Sequence, residues 1–312
     1  MKFPKLKIGN LIPEYPIIQG GMAIRISMAE LASAVANEGG IGVIAGTALP
    51  VEELKREIKK AKGKTDGILG VNIMFAAREF KELLIGSIEA GIDLIISGAG
   101  FSRDMFTIGK QYEVPIVPIV SSLRLAKISE KLGADAIVVE GGDAGGHLGT
   151  DKDTIPLINK IKDKINIPVI AAGNIVTPED VDNMFKLGVE GVQMGTRFLA
   201  SKEANIADNF KGLCVKAKKE DIVKMMSSVG LPANAIKTRF VELIKNDKAP
   251  KPISCNKCLK KCTEKFCIRD ALLRGRKGDL NEGIFFTGQG MWKVDEILSV
   301  KEIFKRIKNK ES

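Results

Sequence analysis

Along the first two hundred residues, short apolar runs alternate with amphipathic stretches. The runs are Pro16–Gly20, Ile41–Gly46, Ile68–Met74, Leu94–Gly98, Pro115–Val120, Ala136–Gly141, Pro168–Gly173 and Gly191–Phe198. They are continuous rather than alternating, as expected of strands buried on both faces of a parallel sheet. Between them the spacing predicts helices over Ser27–Asn37, Val51–Lys62, Arg78–Ala90, Leu123–Leu132, Thr154–Lys164 and Pro178–Leu187. Thr177-Pro178-Glu179-Asp180 reads as an N-cap followed by proline and acids in the first turn. Gly39, Gly91, Gly133 and Gly188 stand where C-capping glycines precede the next strand. Eight such units predict an α/β fold, specifically a (β/α)8 TIM barrel. A doubly wound open sheet fits less well. It usually has fewer strands, and Gln19-Gly20-Gly21-Met22 after the first run lacks the G-x-G-x-x-G spacing.

After Phe198 the texture becomes polar. Helices are predicted over Ile222–Val229, Ala235–Ile244 and Ala271–Arg276. Gly283–Gly290 returns to barrel-like composition, and Val300–Lys308 is a helix with Ile303, Phe304 and Ile307 on one face. Residues 1–200 and 283–312 are therefore expected to form the barrel, with the terminal helix as its eighth outer helix. Residues 201–282 are expected to be a mostly helical insertion over the substrate face.

Charge supports that division. The chain of 312 residues carries a net +10, yet residues 1–200 hold 23 Lys and Arg against 24 Asp and Glu. Residues 201–312 hold 25 against 14. The basic excess is either a solvated helical surface or an attraction for an anionic partner. With aromatics at 5%, little is available to stack bases, and no nucleic acid is expected. No apolar run is long enough to span a membrane. The basic stretch Met1–Lys7 has no apolar segment after it of the kind a signal peptide needs. A cytoplasmic protein with no membrane partner is expected.

In a parallel barrel the chemistry sits at the C-terminal ends of the strands. Those positions hold Gly20, Gly21 and Met22, then Asn72, Glu140, the pair Gly145 and Gly146, then Ala172, Gly173 and Asn174, and finally Gln193, Met194, Gly195 and Thr196. Gly173 and Gly195 in adjacent loops suit close backbone approach to a phosphate, with Thr196 adding a hydroxyl. His147, the one histidine of the chain, follows Glu140 and Asp143 in a loop with four glycines. Its near-neutral pKa suits proton abstraction. Cys255, Cys258, Cys262 and Cys267 are spaced C-x2-C-x3-C-x4-C. Four thiols so close suit zinc or an iron–sulfur cluster, though the gaps match neither the zinc ribbon nor the bacterial ferredoxin run. Free thiols and disulfides remain the alternatives.

The motifs PIIQGGM, GVNIM, EGGDAGGHLG, PVIAAGNI and GVQMGTRF, in that order, resemble the nitronate monooxygenase (2-nitropropane dioxygenase-like) family. The enoyl-ACP reductase II branch belongs to the same superfamily. The resemblance covers residues 10–205 and Thr287–Gly290. It implies an FMN-dependent barrel in which Gly20, Gly21 and Met22 meet the flavin ring and Asn72 bonds the ring or ribityl chain. It also implies that Gly173 and Gln193–Thr196 hold the phosphate, that Gly145 and Gly146 shape the adjoining loop, and that Gln289 approaches the flavin. His147 matches the family's catalytic histidine. The implied activity is oxidation of an alkyl nitronate through reduced flavin and oxygen. The alternatives are enoyl-ACP or enoyl-CoA reduction with NAD(P)H, with an acidic acyl carrier protein as partner, and a flavin or metal electron-transfer protein. A homodimer is a further expectation. Trp292, where the family more often has small or aliphatic residues, is expected to narrow the substrate pocket.

Overall fold

The computed structural model describes residues 2–309. The expected barrel limits at Met1 and Ser312 lie outside them. Its strands are β1 (Ile17–Gln19), β2 (Gly42–Ala45), β3 (Leu69–Met74), β4 (Leu94–Gly98), β5 (Ile116–Val120), β6 (Ile137–Glu140), β7 (Gly146–His147), β8 (Val169–Ala172), β9 (Gly191–Met194), β10 (Ile222–Met226) and β11 (Pro232–Ile236). Eight of them form a parallel sheet in the order β1-β9-β8-β6-β5-β4-β3-β2. A parallel bridge between Ile18 and Ile41 joins the two ends and closes the barrel.

The helices are α1 (Ala29–Asn37), α2 (Val51–Lys62), α3 (Phe80–Glu89), α4 (Arg103–Gln111), α5 (Leu123–Lys131), α6 (Thr154–Ile161), α7 (Pro178–Lys186), α8 (Thr196–Leu199), α9 (Asp208–Lys216), α10 (Arg239–Lys245), α11 (Ile268–Arg276) and α12 (Val300–Lys308). Thr177 is the expected N-cap of α7 and forms a capping box with Asp180. Helix α12 is the eighth outer helix, packed between α1 and α7. Its Val300, Ile303, Phe304 and Ile307 are buried, and Phe304 lies 6.1 Å from Phe198 and 6.3 Å from Tyr15. Inside the barrel, Ile18, Val43, Ile96, Val117, Val138 and Ile170 pack together, with Leu6 and Ile8 beneath them.

The segment after the barrel strands differs from its expected helical form. Ile222–Val229 was expected as a helix, but β10 pairs antiparallel with β11, and β7 adds a third strand. Met225 is buried while Lys224 and Met226 are exposed, an alternation that fits a strand. The chain reverses through Ser227–Leu231, with Gly230 at φ 83°, and Pro232 opens β11. The second expected helix begins later, at Arg239, because residues 232–236 are taken up by β11. A separate apolar cluster joins this sheet to α10 and α11 through Met225, Ala233, Phe240, Phe266, Leu272 and Ile284, and takes Ile24 from the β1–α1 loop. Among the described residues, no helix is long and apolar enough to cross a membrane.

Candidate active site

A cavity opens over the C-terminal ends of the barrel strands, beneath the three-stranded sheet. Gly20, Gly21 and Met22 after β1 line it, with Asn72 of β3. A Cβ on Gly21 would collide with Asn72, so glycine is required for that close approach. Thr47 lines the cavity as well, and its hydroxyl accepts the Met74 N–H at 2.8 Å.

The opposite wall is glycine-rich. Gly173 has φ 121° and Asn174 has φ 53°. A Cβ on Gly195 would meet nothing within 4 Å, so this loop faces open space. Thr196 accepts the Gly288 N–H at 3.1 Å, which ties the C-terminal segment to the β9 loop. Among the described residues, five buried side-chain polar atoms have no hydrogen-bond partner, and Asn174 Oδ1 and Gln193 Oε1 are two of them. Both residues line the cavity. Buried polar atoms are normally satisfied, so two orphaned amide oxygens in a glycine-lined hollow fit a polar ligand.

His147 stands on β7, opposite Ala233 of β11. Its Nε2 lies 2.7 Å from Ser227 Oγ, and its ring meets Phe286 edge-on at 5.2 Å. Burial pushes its pKa down to about 4, so the imidazole is neutral at neutral pH. Ser227 Oγ also accepts the Val229 N–H at 3.3 Å. In the Nε2–H tautomer both N–H groups converge on that oxygen, and Nδ1 carries the ring's lone pair.

The loop carrying His147 is pinned from both sides. Asn234, 1% exposed, donates to Gly142 O at 2.9 Å and Ala144 O at 2.8 Å. Asp143 accepts both the hydroxyl and the N–H of Thr154. Its carboxyl is pushed up by burial, against the lowering effect of Thr154. Glu140, at the end of β6, is pushed up to about 8 by burial and then by the charge of Asp143. It is therefore largely protonated at neutral pH. Ile24, Val229, Leu259, Ile268, Leu272 and Phe286 supply apolar lining, and Arg269 of α11 brings a cation.

A family model described as nitronate monooxygenase matches residues 5–310. The chain belongs to the nitronate monooxygenase family. It is thus an oxidoreductase of a flavin-dependent family. It is 30% identical over 276 residues to a probable nitronate monooxygenase of Staphylococcus aureus, covering 73% of this chain and 77% of that protein. It is also 30% identical over 236 residues to the (3aS,4S,5R,7aS)-5-hydroxy-7a-methyl-1-oxo-octahydro-1H-indene-4-carboxyl-CoA dehydrogenase of Mycobacterium tuberculosis, covering 75% of this chain. The match spans 66% of that relative's length, just under two thirds. The structure of FabK from Thermotoga maritima is 35% identical with a TM-score of 0.87, over 95% of this chain and 92% of that one. A nitroalkane oxidase from Streptomyces ansochromogenes has a TM-score of 0.83 over 95% of each chain, and at 21% identity it bears on the fold alone.

The residues that the family motifs single out gather as follows. Gly20, Gly21, Met22, Asn72, Glu140, Gly145, Gly146, His147, Ala172, Gly173, Asn174, Gln193, Gly195 and Thr196 all line the one cavity. Met194 does not. It is 1% exposed and packs into the core between barrel and helices, because alternate residues of a strand point to opposite faces. Gln289 does not line it either. It is exposed on a 3-10 turn and its N–H bonds Asp143 O at 3.0 Å. Trp292 does not narrow the cavity, since it sits 46% exposed on the same turn.

Ser227 and Asn234 were not singled out from sequence. The residues around Ser227 were read as a helix, and nothing in a lone serine or asparagine marks a partner 80 or 90 positions away. None of the four clustered cysteines is disulfide-bonded, and Cys258 alone of them lines this cavity. Cys214 is buried in α9, and burial pushes its thiol up to about 12.

Proposed function

We propose that the chain is an FMN-dependent, nitronate monooxygenase-like enzyme that oxidises alkyl nitronates through reduced flavin and oxygen. The observation that carries this is a neutral, half-buried imidazole in the same cavity as a glycine cradle with two unsatisfied amides. FMN fits that cradle. Open space at Gly195 and the Thr196 hydroxyl suit its phosphate, and Asn72, Asn174 and Gln193 suit the polar ring edge and ribityl chain. Bound there, FMN would supply the two-electron redox chemistry, with dioxygen as final acceptor.

The side chains of this protein do the rest. His147 takes the carbon-bound proton of a neutral nitroalkane at Nδ1, while Ser227 holds the ring in place through Nε2. Arg269 attracts the anionic nitronate. The apolar lining keeps water from the reacting carbon. Glu140, largely protonated, adds no negative charge beside the anion.

A second reading is reduction of an enoyl thioester by NAD(P)H. The 35% identity to FabK over nearly the whole chain favours it. Arg269 would then meet an acidic carrier protein or the phosphates of CoA, and the basic segment from residue 201 onward would add to that attraction. We place the boundaries of that covering segment at residues 201 and 282. Anaerobic addition of an alkyl nitronate, or of NAD(P)H followed by a crotonyl thioester, separates the two readings by which one reduces the flavin.

A further inference from the structure

Cys255, Cys258, Cys262 and Cys267 play no part in the turnover described above, yet all four line one surface pocket. The backbone arranges this through a turn used twice. Lys257 N–H donates to Cys255 Sγ, and Glu264 N–H donates to Cys262 Sγ, both at 3.4 Å. In each turn the donor has positive φ, 49° at Lys257 and 55° at Glu264. That conformation is unfavourable for residues with side chains. What it achieves here is a backbone N–H aimed at sulfur. Cys267 stands at the N-cap position of α11. Arg78, Lys257, Lys260, Lys261 and Arg269 line the same pocket against Glu264 and Asp270. The surroundings thus favour an anionic load.

The pocket is wide. One ion bound by four thiolates at about 2.3 Å holds the sulfurs within about 4 Å of one another. Among the described residues, no three of His, Cys, Asp or Glu converge enough to hold a single ion, and no two of the cysteines are disulfide-bonded. Four cysteines lining one pocket without a disulfide suit a polynuclear cluster, in which each iron takes one thiolate.

The cysteine-bearing segment is also fixed to the barrel. Ala77 and Leu259 form an antiparallel bridge. Arg78 N–H donates to Cys258 O at 3.1 Å, and Lys260 N–H to Ala76 O at 2.9 Å. Thr263 N–H donates to Ser228 O at 2.9 Å, beside the serine that holds His147. Cys258, Leu259, Ile268 and Arg269 line both this pocket and the active-site cavity, so the two share a wall.

We propose that Cys255, Cys258, Cys262 and Cys267 ligate a four-iron, four-sulfide cluster against the wall of the active-site cavity. Two ferric and two ferrous ions with four sulfides form a core of charge +2. Each thiol releases one proton to solvent and bonds one iron, so the ligated cluster carries −2 and no electron changes hands.

The test uses the full chain, purified without oxygen and reconstituted with ferric and ferrous salts and sulfide. Iron, zinc and acid-labile sulfide are then counted per chain, and the sample is examined by electron paramagnetic resonance after dithionite. About four irons and four sulfides, with a signal on reduction, are expected. Cys258→Ser and Cys262→Ser should each lower both counts several-fold, and flavin content should stay unchanged in Cys262→Ser. Cys262 is exposed, so its variant keeps the test usable if Cys258→Ser does not fold. About one zinc per chain without sulfide would overturn the proposal. So would four freely titrating thiols without metal, or iron that persists in both variants. None of these readouts depends on nitronate turnover, so the proposal and the functional reading fail separately.

Discussion

His147 and Ser227, 80 positions apart in the chain, meet at 2.7 Å between Nε2 and Oγ. Residue 147 belongs to the β6–α6 loop of the barrel, and residue 227 to the β10–β11 turn of the covering sheet. The proposed base and the serine proposed to orient it therefore come from different parts of the chain, and β7–β11 pairing brings them together.

The Ser227 contact can be separated from structural support by pH. Ser227→Ala removes one hydrogen bond from the ring. A loss of about tenfold in kcat/KM for a neutral nitroalkane is expected, the rate equivalent of about 1–1.5 kcal/mol. Wild-type activity should persist down to about pH 4 on the acid side, because burial lowers the His147 pKa to about 4. Below that the imidazole is protonated and cannot act as a base. The acid limb should move in Ser227→Ala with flavin still bound. An unmoved limb would reduce Ser227 to a packing residue.

Gly195 offers a clean test of the cradle. A Cβ there meets nothing of the protein within 4 Å, so the fold should tolerate the change. Gly195→Asp places a carboxylate where the phosphate is to sit. Flavin retention should fall at least tenfold, while the melting temperature of the flavin-free protein stays within a degree or two. Full flavin occupancy in the variant would remove this loop from the site.

Glu140 should make stability depend on pH. Its folded-state pKa is raised to about 8 from an ordinary 4.5. Between those values the folded protein holds a proton that the unfolded chain has released, so stability falls as pH rises through the window. Glu140→Gln should therefore raise the melting temperature of the flavin-free protein at pH 8 by about 6–12 °C, roughly 3–4 kcal/mol from a shift of this size. At pH 5 the gain should nearly vanish. Equal gains at both pH values would place the effect in packing instead.

Much of the barrel was legible in the sequence, because strands buried on both faces are written as uninterrupted apolar runs. The terminal helix was legible for a related reason, since Ile303, Phe304 and Ile307 recur on one face. Helix α4 was missed. The covering sheet was misread because Ile222–Met226 is short, half-exposed and flanked by lysines, so its period is weak. At the site, glycines at strand ends and a histidine in a glycine loop were visible as local patterns. Asn234 was invisible because its role depends on the carbonyls of Gly142 and Ala144, which only the folded chain brings near. Met194 was carried along by a contiguous motif, although strand geometry turns it away from its neighbour Gln193.

His147→Ala should keep FMN, because the proposed phosphate cradle lies in other loops. Turnover of a neutral nitroalkane should fall by about 10²–10⁴, the usual range for a general base. The pre-ionised nitronate has already lost that proton and should suffer much less. Equal losses on the two substrates would mean that the imidazole positions substrate without taking a proton.

The most direct measurement is rapid anaerobic mixing of the flavin-loaded protein with an alkyl nitronate, followed at the oxidised-flavin absorbance band. Bleaching by the nitronate, reversed on admitting oxygen, is the expected result. A flavin untouched by nitronate, yet bleached by NADH or NADPH and reoxidised by an enoyl thioester, would contradict the account.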